Sequence, residues 1–433
     1  MNRSRTAVAL GAALALAYPT LTIGGEREQA LEARVAELER LVATLLAGEA
    51  PPSPAAATPV LETPRPETPA VKPVPPPAGP GTEFRFTGFI KHDMMFSRYS
   101  GGRVPPQGVL RDFYVPAAVP VGGSSSATDF DSHTRETRFI FNVNRPDQDL
   151  QAYLEFDFSA NTGGDERLTN ATSPNVRQAF LRWRGLLAGQ AWTTFFNVGA
   201  LPENIDFIGP SEGTIFVRQP QLRYTHGPWQ IAVENPETTV TPFGGGARLV
   251  TDTARMPDFV LRYNHSAAWG QFSLAGLARE LGIDEPLARE RRIAWGLSAS
   301  GKIDLGQNDL RWMVSGGPGI GRYLGLNTVN DAVLDASGGL DTIEAWGGFL
   351  SYRHIWHPRW RSNFTVSMFR ADHDIALSGT AVTRAAESAH VNLIYQATSD
   401  LRFGLEYIHA RREIESGASG RMNRLQFATT LGF

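Results

Sequence analysis

The sequence predicts an all-β fold, a sixteen-stranded antiparallel transmembrane β-barrel with an N-terminal coiled-coil helix. Three observations predict it. From residue 83 onward apolar and polar side chains alternate with period two. In "LQAYLEFDFS" (150–159), Leu150, Ala152, Leu154, Phe156 and Phe158 share one face, and Gln151, Tyr153, Glu155, Asp157 and Ser159 the other. Short and long connections take turns between these segments, the layout of an up-and-down meander with turns at one end and loops at the other. After the N-terminus, no run approaches the ~20 apolar residues that a spanning helix needs. The apolar face therefore meets lipid, the charged face meets a watery lumen, and the sheet must close because lipid offers its edges no partners.

Bulk composition narrows the function classes. A formal net charge of -3 argues against nucleic acid as a partner. The absence of cysteine excludes disulfides and thiolate metal sites. Of the 41 basic residues only Lys72, Lys91 and Lys302 are lysines, so the cationic side chains are nearly all guanidinium groups.

The elements follow in chain order. Residues 1–25 read as an export signal, with Arg3 and Arg5, the apolar run Thr6 to Ala17, and "ALA" at 15–17. Residues 26–48 carry Leu31, Val35, Leu38, Val42 and Leu45 at spacings of four and three, a heptad seam flanked by Glu32 and Arg34 that predicts self-association. Residues 49–82 form a proline-rich periplasmic spacer. Residues 83–433 are the barrel. Its strands are expected near 84–97, 135–144, 149–159, 175–184, 186–193, 216–226, 228–235, 258–266, 269–280, 291–303, 308–316, 343–356, 359–371, 387–398, 400–412 and 421–433. Long connections are expected at 98–134, 160–174, 194–215, 236–257, 281–290, 317–342 and 372–386. Trp356 and Trp360 suit an aromatic girdle. In "VRQAFLRWRG" (176–185) arginines fall on both parities, which alternation alone leaves unassigned. A soluble β-propeller, the rival fold, would need per-blade repeats, and none is visible.

Catalytic strings fail on context. "GPSEG" (209–213) matches a nucleophile elbow, but no helix follows Ser211. "GGPGIG" (316–321) resembles a phosphate loop only in composition, since Pro318 interrupts it. His354 and His357 alone make a weak metal pair. No enzyme activity, cofactor or metal is expected. The lumen is the better candidate site. Alternation points Arg138, Arg182, Arg223, Arg262, Arg292, Arg311, Arg361, Arg402 and Arg424 inward, with Glu155, Asp157 and Glu406 opposing some of them. Rings of guanidinium groups favour anions. The connection at 194–215, about 20 residues long and carrying Glu203, Asp206 and Glu212, is expected to fold inward as a constriction.

The segments "LEARVAELERLV", "RQAFLRWRGLLAGQAWTTF" (177–195), "LPENIDFIGP" (201–210) and "VRQPQLRYTHG" (217–227) make the chain similar to the DcaP-like porins of Gram-negative bacteria. The likeness is densest over 177–227, where Arg218 joins Arg223 in the matching segment. It implies a homotrimer of sixteen-stranded barrels in outer-membrane lipid, a periplasmic coiled coil, and preference for anions, notably dicarboxylates. Val at a and Leu at d in this seam favour two strands rather than three. The resulting expectation is an outer-membrane porin for passive diffusion of small anionic solutes. Two alternatives stand beside it: a structural protein whose N-terminal arm contacts peptidoglycan, and a barrel enzyme.

Overall fold

The computed structural model describes residues 81–159, 169–285 and 288–433. The expected signal, the coiled coil and all but the last two spacer residues lie outside the described residues. The strands are β1 (Glu83–Tyr99), β2 (Ala127–His133), β3 (Arg138–Arg145), β4 (Leu150–Asp157), β5 (Asn175–Trp183), β6 (Leu186–Trp192), β7 (Arg218–His226), β8 (Trp229–Glu234), β9 (Thr238–Thr241), β10 (Leu249–Thr251), β11 (Asp258–Ala267), β12 (Gly270–Glu285), β13 (Ala288–Leu305), β14 (Asn308–Pro318), β15 (Ala332–Leu334), β16 (Leu340–Thr342), β17 (Glu344–His357), β18 (Trp360–Asp372), β19 (Thr383–Gln396), β20 (Leu401–Ile414) and β21 (Ser419–Gly432).

Seventeen of these form one antiparallel sheet. Along one edge of β1, residues 83–89 pair with β3 and residues 93–99 with β2. These two pieces fill a single position, so the wall has sixteen. The other edge of β1 pairs with β21 from Phe89↔Gly432 to Tyr99↔Met422, which closes the barrel. All sixteen expected strands are wall strands.

Three expectations are corrected. The connection at 98–134 contains β2. The loop expected at 281–290 is instead a hairpin extension, with β12 and β13 paired out to Glu285↔Ala288. The loops also hold a second sheet, in the order β10-β9-β15-β16, whose strands of three or four residues are too short to show a period.

The outer surface is apolar and the interior polar. Phe141, Leu154, Leu222, Phe259, Leu274, Leu350, Leu405 and Leu425 are exposed, whereas Glu155, Asp157, Asp309, His390, Glu406 and Arg424 are buried. The bend in β5 resolves its conflicting parities. Opposite Glu155 and Phe156 the register slips by one residue. Such a bulge turns two successive side chains to one face, so Arg177 and Arg182 both point inward. Arg184 and Gly185 form the two-residue turn to β6, both at positive φ (47° and 85°) as a primed hairpin turn requires.

The wall is uneven in height. Strands β3 to β8 have six to nine residues, whereas β12, β13 and β17 to β21 have thirteen to eighteen.

Candidate functional site

The connection between β6 and β7 turns into the barrel and runs along the inner wall. Thr193 Oγ1 and the Thr194 amide donate to Glu234 on β8, both at 2.6 Å. Arg262 on β11 donates to the Phe196 carbonyl at 2.5 Å. Arg311 on β14 reaches the Leu201 carbonyl, and Lys91 on β1 reaches the Ile205 carbonyl at 2.7 Å. Glu406 on β20 accepts from Asn204 Nδ2 at 3.0 Å and from the amides of Ile205 and Asp206 at 2.9 and 3.2 Å. Beyond this half-ring, Phe207 turns toward β5, where the Arg177 guanidinium carbon lies 5.1 Å from its ring centroid. The loop thus narrows the lumen between its own inner edge and strands β3 to β8. Wall cations meeting loop carbonyls satisfy backbone acceptors that a lumenal segment would otherwise leave bare.

On the tall wall, cations are matched by acids. Asp309 pairs with Arg311 at 2.9 Å and Arg353 at 2.5 Å. Glu203 sits in the fork of Arg361, with Nε–Oε2 at 2.7 Å and Nη2–Oε1 at 2.5 Å, and Arg402 approaches to 3.2 Å. Burial pushes the Glu203 carboxyl up, but Arg361 and Arg402 outweigh it and hold the group below the usual carboxylate range. On β3 to β5, Arg177 binds Glu155 and Asp157, each at 2.6 Å, and Arg138 joins Glu155 at 3.2 Å.

The short wall is different. Among the described residues, no carboxylate lies within ion-pair distance of Arg182, Arg218 or Arg223, and no hydrogen bond ties Arg182 or Arg223. Arg223 and Arg182 stand opposite Leu187 on its two neighbouring strands, so both point to the lumen. Arg182 lies over Phe180 at 5.8 Å. Arg218 begins β7 with the parity opposite to Arg223. Its guanidinium lies 5.1 Å from the Trp192 ring centroid, a ring shared with Arg177 at 5.7 Å.

The structure therefore brings Arg138, Arg182, Arg223, Arg262, Arg311, Arg361 and Arg402 to the lumen, and corrects other expectations. Arg424 is fully buried, held by Ser97 Oγ at 2.9 Å and the Leu110 carbonyl, so the 100–126 loop covers it from solute. Arg292 lies on the hairpin extension at the outer rim, more than half exposed, beside Asp341 at 4.0 Å. Two of the three loop acids face the wall. Asp206 accepts from the Tyr114 amide at 2.8 Å, and Glu212 is buried near Ser367, Ser388 and His390. Burial pushes both carboxyls up, against Arg424 at Asp206 and His390 at Glu212. Only Glu203 of the three is accessible. Ser211 donates to the Tyr114 and Gly209 carbonyls and is a structural hydroxyl. Sequence reasoning missed Lys91, Arg177 and Arg353. Parity with Asp93 and Ser351 could have found Lys91 and Arg353, whereas the bulge concealed Arg177.

A family model described as DcaP outer membrane protein matches residues 116–433. Among solved structures, the outer membrane channel DcaP of Acinetobacter baumannii superposes with a TM-score of 0.69 at 20% identity, over 82% of this chain and 98% of that one. An anion-selective porin from Comamonas acidovorans superposes with a TM-score of 0.49 at 9% identity, over 81% and 100%. Outer-membrane expressed OmpT of Vibrio cholerae gives 0.48 at 9% identity, over 82% and 98%. No curated protein matches. The family and the fold are those of channels, not enzymes.

Proposed function

Since the chain belongs to the DcaP outer membrane protein family, we propose that it is an outer-membrane porin for passive diffusion of small anionic solutes, dicarboxylates among them. The observation that carries this reading is a pair of short-wall arginines, Arg182 and Arg223, with no carboxylate within ion-pair distance among the described residues. Arg182 and Arg223 face the passage without an ion pair, Glu234 being committed to the Thr193 hydroxyl, the Thr194 amide and Gln219, and Arg262 beside them spends its hydrogen bonds on neutral loop carbonyls. Three positive charges within a low-dielectric wall raise the local concentration of anions, and guanidinium forks suit carboxylates in particular. Glu203, already bound between Arg361 and Arg402, shows the carboxylate geometry these side chains accept. The test is the reversal potential of the purified protein in a planar bilayer under a KCl gradient, repeated with disodium succinate. Anion preference with succinate current or block is expected; cation preference would overturn the reading.

The assembly is a homotrimer on this reading, with the N-terminal segment in the periplasm. The low wall supports it. Transmembrane strands need ~9–11 residues to cross the hydrocarbon core, and β8 has six. A stretch of wall this low is better covered by a neighbouring subunit than by lipid. Because the chain has no cysteine, a single Leu222→Cys substitution on the outer face of β7 gives a clean cross-linking test.

A further inference from the structure

We infer that the outer loops carry a second anion site, a capture site for small carboxylates distinct from the constriction. It is a cavity of about 250 Å³ whose lining includes Arg248, Arg412, His373, Thr383, Asn330 and Thr241. That size lies below the ~300–1,000 Å³ typical of drug-sized ligands, which suits a solute of a few carbons. It sits at the long-loop end of the barrel, the external end in proteins of this architecture.

The polar groups there are incompletely used. Arg412 donates from Nε to Thr383 Oγ1 at 2.9 Å and from Nη1 to the Val119 carbonyl at 3.2 Å. Arg248 donates from Nε to Asn330 Oδ1 and from Nη2 to the Asn327 carbonyl, both at 2.5 Å. Each guanidinium keeps one terminal nitrogen uncommitted. Neither has a carboxylate partner among the described residues. Asp331, the acid whose charge acts on Arg248, is committed to Arg279 at 3.0 Å and to the Thr239 hydroxyl and amide. His373 Nε2–H donates to the Thr383 carbonyl at 3.0 Å, so its Nδ1 is a buried acceptor that calls for a donor such as a solute hydroxyl, not for a carboxylate oxygen. Two cations with no acid partner around one cavity lack only an anion.

The placement gives the site a role. Arg412 and Arg402 share the inward face of β20, about 33 Å apart along the strand at ~3.3 Å per residue. Between them the wall is sealed by the loops, with Glu406, Ile408 and Ala410 buried. An anion cannot walk from one arginine to the other along this wall. The outer pair instead concentrates anions at the mouth, from which they reach the short-wall strip. The direction of traffic rests on the anion-channel reading, whereas binding itself does not.

The test is succinate affinity of the detergent-solubilised protein by calorimetry, for wild type, Arg248→Gln, Arg412→Gln and the double variant, with Arg182→Gln/Arg223→Gln as the constriction control. Two classes of site are expected. Each outer substitution should weaken one of them about tenfold, the scale of a lost charge-assisted hydrogen bond. Arg248 is an exposed loop residue, so its variant guards against misfolding at Arg412. Unchanged affinity in the double variant overturns the capture site while leaving the channel reading intact. A reversal potential without anion preference, together with weakened binding in the outer variants, keeps the site and overturns the channel reading.

Discussion

The two walls of this barrel use the same side chain in opposite ways. On the tall wall, from β11 round to β1, inward cations are tied down, by loop carbonyls that leave the charge in place or by acids that offset it. Arg262, Arg311 and Lys91 hold the carbonyls of the inward loop, and Arg353, Arg361 and Arg402 are matched to Asp309 or Glu203. On the short wall, Arg182 and Arg223 have no acid within ion-pair distance and no hydrogen bond among the described residues. A guanidinium inside a barrel is thus not by itself a selectivity element. It becomes one where the fold leaves it unneutralised. On the proposed reading the tall wall shapes the passage and the short wall sets its sign.

The largest expected effect comes from cutting the loop from the tall wall. Glu406 accepts three hydrogen bonds from residues 204–206, and Asn392 donates to it at 2.9 Å. Glu406→Leu leaves the Ile205 and Asp206 amides and His390 Nδ1 without their acceptor, while His390 Nε2 keeps Ser388, at a cost of about 3–5 kcal/mol. Single-channel conductance should rise severalfold, and the amides of Ile205 and Asp206 should lose hydrogen-exchange protection. Wild-type conductance with protected amides would show that the loop is held elsewhere.

Next in size is the selectivity difference between the walls. At ~4 Å and water-like dielectric each unpaired arginine is worth about 1 kcal/mol to an anion. Arg182→Gln/Arg223→Gln should therefore lower the anion-to-cation permeability ratio roughly tenfold or more. The matching tall-wall variant, Arg311→Gln, should change conductance with less than a twofold change in that ratio. Equal losses from both variants would erase the distinction between the walls.

Glu203 tests the tall wall from the other side. Glu203→Gln removes one negative charge and frees Arg361 and Arg402, so anion preference should rise about fivefold by the same Coulomb scale. The pH dependence follows from its depressed carboxyl. A group held below its ordinary value of ~4.3 stays ionised above that value and loses its contribution only as pH falls through the depressed one. Wild-type selectivity should be flat from about pH 8 to 5 and converge on that of Glu203→Gln only below about pH 4. Convergence near neutral pH would mean that Arg361 and Arg402 do not grip the carboxylate.

The fold was largely legible because lipid imposes one rule on every wall strand. Leu154 and Glu155 must separate, and so must Phe427 and Gln426, so alternation reports the barrel directly. The inward loop was legible from its length. Its detail was not, because that depends on contacts between residues some two hundred positions apart, such as Ile205 with Glu406. Parity gives the direction of Arg424 but not the Leu110 carbonyl that covers it. It also fails where a bulge breaks it, as at Arg177, and where a strand runs beyond the membrane, as at Arg292.

The smallest effect separates charge from geometry. If the short wall acts through unneutralised charge alone, Arg223→Lys keeps the charge and should leave the permeability ratio within about twofold of wild type. Arg361→Lys keeps the charge as well but cannot make the two-pronged contact to Glu203, since an ammonium offers no planar fork. Loosening of that contact frees Glu203 to move into the passage, which should appear as added open-channel current noise with little change in selectivity. Selectivity lost in Arg223→Lys would instead assign the short wall a shaped carboxylate site, where guanidinium geometry matters as much as its sign.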